Sequence, residues 1–123
     1  MSRRRIEVGA AGEEAARAYL ENNGCVIETV NYRCIFGEID IVARDGSMLV
    51  FVEVRAGTGS SLQTAAESVT RPKLIRLRKL VLYYLKAVYG RDLPCRVDLL
   101  TVLLEKESLK VRQVQHIRNI VPG

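Results

Sequence analysis

The sequence predicts an α/β (α+β) domain in which helices flank a mixed β-sheet, in the order αβββαβ(β). Three observations carry this. Asp45-Gly46 lies between two runs rich in Ile, Val and Phe, a strong local signal for a tight hairpin. Two segments with helical apolar spacing stand on either side of that hairpin. Residues 96–104 form a near-continuous apolar run, as suits a strand buried on both faces. The length of 123 residues fits one domain, 1–123, with a modest core; residues 1–7 are expected to be a flexible basic tail.

The first helix is expected over residues 8–23. Val8, Ala11, Ala15, Ala16, Tyr19 and Leu20 fall on one face, and Asn22-Asn23-Gly24 supplies a stop. Glu13 shares a row with Ala16 and Leu20 and is aimed toward the core, while Glu14 faces water. Residues 25–32 read as a strand, and 38–44 and 48–55 as the hairpin strands. Residues 56–61, with Gly57, Gly59 and two serines, read as a mobile loop. The second helix is expected to start near Thr70 as N-cap, with Pro72 tolerated in its first turn. Leu74, Leu77, Val81, Tyr84, Leu85 and Val88 form its apolar stripe, and Gly90 ends it. Residues 105–108 read as a turn and 109–117 as an edge strand.

Composition narrows the function classes. Hydrophobic residues at 48% and charged residues at 27% are ordinary for a soluble globular chain. No stretch approaches the roughly 18–20 apolar residues of a membrane helix. No apolar signal-peptide core follows the basic Met1-Ser2-Arg3-Arg4-Arg5. The expectation is a cytoplasmic protein with no membrane association. Cys25, Cys34 and Cys95 are odd in number and lack a Cys-x-x-Cys spacing, so neither a disulfide framework nor a zinc site is indicated. The lone His116 lies in a polar stretch and is not read as catalytic. The net charge is +5 and the pI about 9.4, compatible with a polyanionic partner. Residues 68–90 contain no Asp or Glu, whereas Arg71, Lys73, Arg76, Arg78, Lys79 and Lys86 all fall there.

The hairpin carries the chemistry. With Asp45-Gly46 as a two-residue loop, Arg44 pairs with Ser47, Asp40 with Phe51 and Glu38 with Glu53. In that register Glu38, Asp40, Glu53 and Arg55 point to one face, and Asp40 and Glu53 are diagonal neighbours. Two carboxylates side by side on a half-buried sheet repel unless something positive stands between them. A divalent ion is the natural candidate, and oxygen-only ligands favour Mg2+ or Mn2+ over zinc. A one-residue slip would put the two acids on opposite faces. Near the start of the second helix, Arg71, Lys73 and Arg76, with Lys79 beyond, add cations to an end already attractive to anions. Together these residues suit a phosphodiester site. The bland alternatives are rim acids bridged by Arg or Lys, and a solvated basic face over a leucine-rich stripe.

The motifs Gly12-Glu13, Gly37-Glu38-Ile39-Asp40, Val50-Phe51-Val52-Glu53-Val54-Arg55, Ala66-Glu67-Ser68-Val69-Thr70 with Lys73, and Arg96-Val97-Asp98 occur in this order. In order and spacing the chain resembles the YraN-like family, small bacterial proteins of largely uncharacterised function, over about residues 8–121. That family is in turn similar to archaeal Holliday-junction resolvases of the restriction-endonuclease-like superfamily. The resemblance implies a restriction-endonuclease-like core. It implies that Asp40 and Glu53 are the two motif acids holding metal, and that Glu13 is a helix-borne acid binding a second metal or orienting water. The motif lysine is Arg55 here. Arginine stays protonated and cannot serve as a base, but it can clamp a phosphate and stabilise transition-state charge. Lys73 is the candidate stand-in.

The expected function is therefore a magnesium- or manganese-dependent endonuclease acting on DNA, branched or flapped by analogy, with catalytic residues Glu13, Asp40, Glu53, Arg55 and Lys73. Contacts to nucleic acid are expected from Arg71, Lys73, Arg76 and Lys79. A homodimer is implied by analogy with the resolvases. Two other readings stand beside this one: a nucleic-acid-binding module that lost catalysis at Arg55, and a protein-interaction module using the basic helix.

Overall fold

A five-stranded mixed sheet organises the chain in the computed structural model, which describes residues 2–59 and 69–121. Helix α1 spans Arg3–Asn22, β1 Val26–Cys34, β2 Gly37–Asp45 and β3 Met48–Gly57. Helix α2 spans Arg71–Tyr84 and continues as a π-helical turn over Leu85–Tyr89. Strands β4, Cys95–Leu104, and β5, Val111–Ile117, follow. The spatial order is β1-β2-β3-β4-β5, with β3 and β4 parallel and the other neighbours antiparallel. The expected α+β class and element order are observed.

One layer lies on each face of the sheet. Ala16 and Leu20 of α1 pack on Ile41, Ala43, Val50, Val52 and Leu100. Leu77, Leu80, Val81, Tyr84 and Leu85 cover Val42, Leu49, Phe51 and Val97 on the opposite face. The approach of α1 to β3 is close enough that a Cβ on Gly12 would lie 2.3 Å from the Cβ of Ala56. Only glycine fits there without movement.

Several expectations are corrected. Helix α1 begins at Arg3, because the Ser2 hydroxyl accepts the Arg5 N–H at 3.2 Å and caps the first turn. Arg3, Arg4 and Arg5 are thus helical, not a tail. The hairpin loop is Gly46-Ser47, with Asp45 paired to Met48. Gly46, at φ +63°, takes the first loop position, which a II′-type turn reserves for glycine. The pairs that form shift by two relative to the expected register, so their faces are preserved, and Asp40 comes level with Glu53 instead of diagonal to it; the expected shared face does not extend to Glu38, because β2 changes side between Ile39 and Ile41. Val88 is 51% exposed. The π turn holds one residue more than an α turn and brings Tyr89 to the core in its place. Ala56 and Gly57, expected in a loop, belong to β3; the remainder of that expected loop from residue 60, and the Ala66-Glu67-Ser68 motif, lie outside the described residues.

The sheet is continuous at one end and divided at the other. Pairing of β2 with β3 runs from Asp45↔Met48 to Ile41↔Val52 and stops. Beyond that point residues 37–39 of β2 stay paired to β1, and residues 53–57 of β3 stay paired to β4. The break coincides with a change of side in β2: Ile39 packs in the α2 layer and Ile41 in the α1 layer. Across from Asp40, Asn31 of β1 adopts φ +52°, a conformation asparagine tolerates better than most residues. Among the described residues no helix is long and apolar enough to cross a membrane. The three cysteines are free thiols.

Candidate functional site

Asp40 and Glu53 face each other where β2 and β3 part. Asp40 Oδ2 accepts the Val54 N–H at 2.8 Å, so a side chain supplies the acceptor where the ladder has ended. Glu53 is 5% exposed and stands level with Asp40 across the gap. Burial pushes the Asp40 carboxyl up to about 7, and the neighbouring Glu53 charge adds to this against the Val54 N–H. Burial also raises Glu53, opposed chiefly by the Arg55 guanidinium. The two acids titrate as one unit. Without a cation, the pair holds part of a proton near neutral pH.

Three cationic side chains surround the pair. Arg55 Nη1 donates to Glu53 Oε1 at 2.7 Å, and Lys73 Nζ lies 3.5 Å from the same oxygen. The first turn of α2 therefore reaches the acids, as a stand-in role for Lys73 requires. Arg76 lines the same α2-side cleft with Gly37, Glu38, Asp40 and Glu53. Arg71 and Lys79 are exposed on α2 and line neither cleft around the acids.

Asp40 also opens to the α1 side. There the cleft is lined by Glu13, Asn31, Glu38 and Arg55, and by Arg4, Arg5 and Arg33. Glu13 and Glu38 are joined by the Asn31 amide, which in its satisfied orientation donates to Glu13 Oε1 at 2.8 Å and Glu38 Oε1 at 2.9 Å. Burial and the Glu38 charge raise the Glu13 carboxyl. Arg33 Nε stands 3.3 Å from Glu38 Oε2. The sequence reading missed Arg4 and Arg5, whose place depends on the early start of α1. A Ser at position 2 ahead of three arginines was the available signal.

The donor set fits a hard divalent cation better than zinc. Both close side chains offer carboxylate oxygen, and magnesium typically takes one or two carboxylates and fills the rest of its shell with water and phosphate oxygens. Among the described residues no group of three or more His, Cys, Asp or Glu is arranged to hold a metal. Glu13 shares the cleft but is held to Glu38 through Asn31. The Val54 carbonyl lies 3.4 Å from Arg55 Nη1.

A second polar cluster is structural. Asp98, fully buried, accepts from His116 Nε2 at 2.7 Å, from Arg96 Nε at 3.0 and 3.1 Å, and from the Asn119 N–H at 2.9 Å. His116 Nδ1 meets the Tyr19 hydroxyl at 3.2 Å. This network ties β5, the C-terminal segment and α1 to β4. Elsewhere, the hydroxyls of Tyr84 and Tyr89 both donate to the Glu28 carboxylate.

Fold and site together define a small α+β protein with a carboxylate pair at a gap in its sheet, open to basic clefts on both faces. A profile for the uncharacterised protein family UPF0102 matches residues 12–102, and the chain belongs to that family. This is the YraN-like grouping that the motifs resemble. Among similar proteins, a UPF0102 protein of Pelotomaculum thermopropionicum is 46% identical over 112 residues, covering 91% of this chain and 92% of the relative. One of Moorella thermoacetica is 45% identical over 110 residues, 88% of each chain. One of Neisseria gonorrhoeae is 38% identical over 112 residues, 91% of this chain and 92% of its own.

Proposed function

We propose that this protein is a metal-dependent, endonuclease-like protein that binds DNA and hydrolyses phosphodiester bonds, with branched DNA as the substrate its resolvase resemblance suggests. The observation that carries this reading is the opposition of Asp40 and Glu53 at the gap in the sheet, beside Lys73 and Arg55. A buried and a half-buried carboxylate in mutual repulsion are what a cation-binding site looks like before the cation arrives.

Asp40 and Glu53 would hold a magnesium or manganese ion. Such an ion supplies Lewis-acid polarisation of a phosphate oxygen and acidifies water. Arg55 and Lys73 contribute positive charge beside the same oxygen of Glu53, where a phosphate that develops charge would be stabilised. Arg55 cannot accept a proton, so any basic role in the cleft falls to the carboxylates or to Lys73. Arg76 extends the cationic wall along α2, and Arg4, Arg5 and Arg33 provide one on the α1 side.

The test is cleavage of labelled junction, flap and linear DNA in Mg2+ or Mn2+ by the full chain, Asp40→Ala and Glu53→Ala. Cleavage by the wild type alone supports the reading. Activity that survives both substitutions overturns it.

A second reading is favoured by the 2.7 Å pairing of Arg55 with Glu53, which already neutralises one of the two acids. On that reading the protein binds nucleic acid without cutting it. Binding would weaken with salt by roughly 0.9 log units per log unit of salt for each phosphate contact on duplex DNA, with no products formed. Arg55→Lys separates the two. Cleavage that appears only in the lysine variant favours the binding module; cleavage already present in the wild type favours the enzyme.

A further inference from the structure

The hairpin between β1 and β2 carries a large apolar side chain where turn chemistry asks for none. Cys34 pairs with Gly37, so Ile35-Phe36 is the entire two-residue loop. Such loops are normally built from Asn, Asp and Gly. Ile35 is 85% exposed, the most exposed of the large apolar residues among the described residues. A residue that breaks the local rule without packing against anything points to a role outside the fold.

The loop is braced and its surroundings are cationic. The Phe36 ring meets Tyr83 of α2 edge-on at 5.9 Å between centroids, and the Phe36 N–H donates to Cys34 Sγ at 3.4 Å. Arg33, two residues before Ile35 on the strand, has a side chain 79% exposed. Arg76 comes within 3.5 Å of where a Cβ on Gly37 would stand. Gly37 itself lines the cleft that holds Asp40 and Glu53. The tip is thus a stiff apolar point, flanked by two arginines, at the mouth of the acid-lined cleft.

We infer that Ile35 is a wedge that inserts at an unstacked base step of DNA, with Arg33 and Arg76 on the adjoining phosphates. The inference rests on the DNA-binding part of the function proposed above. Apolar side chains enter nucleic acid in this way when flanking cations hold the backbone. A membrane surface or a second copy of the chain would also accept an apolar point, but the flanking arginines and the neighbouring acid pair favour a polyanion cut close by. Ile35 and Asp40 are five positions apart, at most about 18 Å of extended chain. At about 3.4 Å of rise per nucleotide, the cut falls within about five nucleotides of the wedge.

The experiment uses the full chain in EDTA with a DNA four-way junction carrying 2-aminopurine at the branch, and a linear duplex as control. Wild type is expected to raise the 2-aminopurine fluorescence. Ile35→Ser is expected to lose that rise and to bind the junction about tenfold more weakly, with linear binding unchanged. Ile35→Phe is expected to keep both. An unchanged thermal midpoint for Ile35→Ser, which removes an exposed side chain, establishes that folding is intact.

Junction binding by the wild type without a fluorescence change, or an Ile35→Ser protein indistinguishable from it, overturns the wedge and leaves the metal-site reading standing. So does an Ile35→Ser protein that falls from dimer to monomer in sedimentation with its DNA affinity intact. Absence of any DNA binding by the wild type overturns the wedge together with the DNA-binding part of the proposed function.

Discussion

The Val54 N–H donates to the Asp40 carboxylate across 2.8 Å at the level where β2 and β3 cease to pair. This bond holds Asp40 against Glu53 while their repulsion and burial drive a proton onto the pair. The strands are kept together by the side chain that most resists being charged there.

A pH dependence follows. The Asp40 carboxyl lies near 7 in the fold against 3.8 for a free aspartate, so the folded state binds more protons between those values. Asp40's contribution to stability without metal is fully present below about pH 4 and is lost as pH rises toward 7, at up to about 1.4 kcal/mol per unit. Asp40→Asn keeps an acceptor for the Val54 N–H and removes the charge. Thermal midpoints from pH 4.5 to 8 in EDTA should fall for the wild type and stay nearly flat for Asp40→Asn. Parallel slopes for the two proteins would refute the assignment.

Divalent metal should reverse that loss. A cation bound by Asp40 and Glu53 stabilises the fold by about 2.7 kcal/mol at a hundred times its dissociation constant. The wild-type midpoint at pH 7.5 should rise with Mg2+ or Mn2+, while Asp40→Asn and Glu53→Gln should not respond. Differential scanning calorimetry against metal concentration is the measurement.

The Asp98 network should be worth far more to stability than to chemistry. Asp98→Ala leaves Arg96, His116 and the Asn119 N–H without their shared acceptor in the interior, at a cost of about 3–5 kcal/mol. His116→Ala should cost about 1–3 kcal/mol and leave any DNA cleavage per folded molecule unchanged. Urea denaturation gives the first quantity and active-fraction-corrected rates the second. Cleavage lost by His116→Ala in a folded protein would place the histidine in the reaction.

Gly12 should resist replacement although alanine is the better helix former. Gly12→Ala gains about 1 kcal/mol of helix propensity and meets the Ala56 Cβ at 2.3 Å, so a net loss of about 1–3 kcal/mol is expected. Ala56→Gly should recover part of it in the double variant, a coupling that a double-mutant cycle in urea would measure. Additive losses would mean that α1 can shift away from β3.

What the sequence made legible was periodic, and what it hid was not. The shared face of Asp40 and Glu53 survived a register error because the loop moved by one residue and every pair by two, which preserves the alternation. The end of the β2–β3 ladder left no trace in hydrophobic spacing, since Ile39 and Ile41 look alike and only the fold sends them to different layers. The π turn likewise carries no composition signal: helical spacing turns Val88 inward, where the structure places Tyr89. Asp98 stands in an apolar run, 18 residues from His116, and nothing local links them. Lys73 was readable as a cation near a helix start, but its 3.5 Å approach to Glu53 required the packing of α2 on the sheet.

The divided sheet gives this protein two wings that part beyond the Ile41–Val52 pair. One wing, β1 with the outer part of β2, carries Asp40; the other, β3 with β4, carries Glu53. An ion held by both acids would be a clasp between the wings, and its affinity would depend on how far apart they stand. Binding and mechanics would then become one quantity: whatever spread the wings would loosen a bound ion, and the ion in turn would slow amide exchange along residues 37–40 and 53–57. A substrate that leans on the Ile35 tip pushes on the far end of one wing, and its shape would be felt at the clasp.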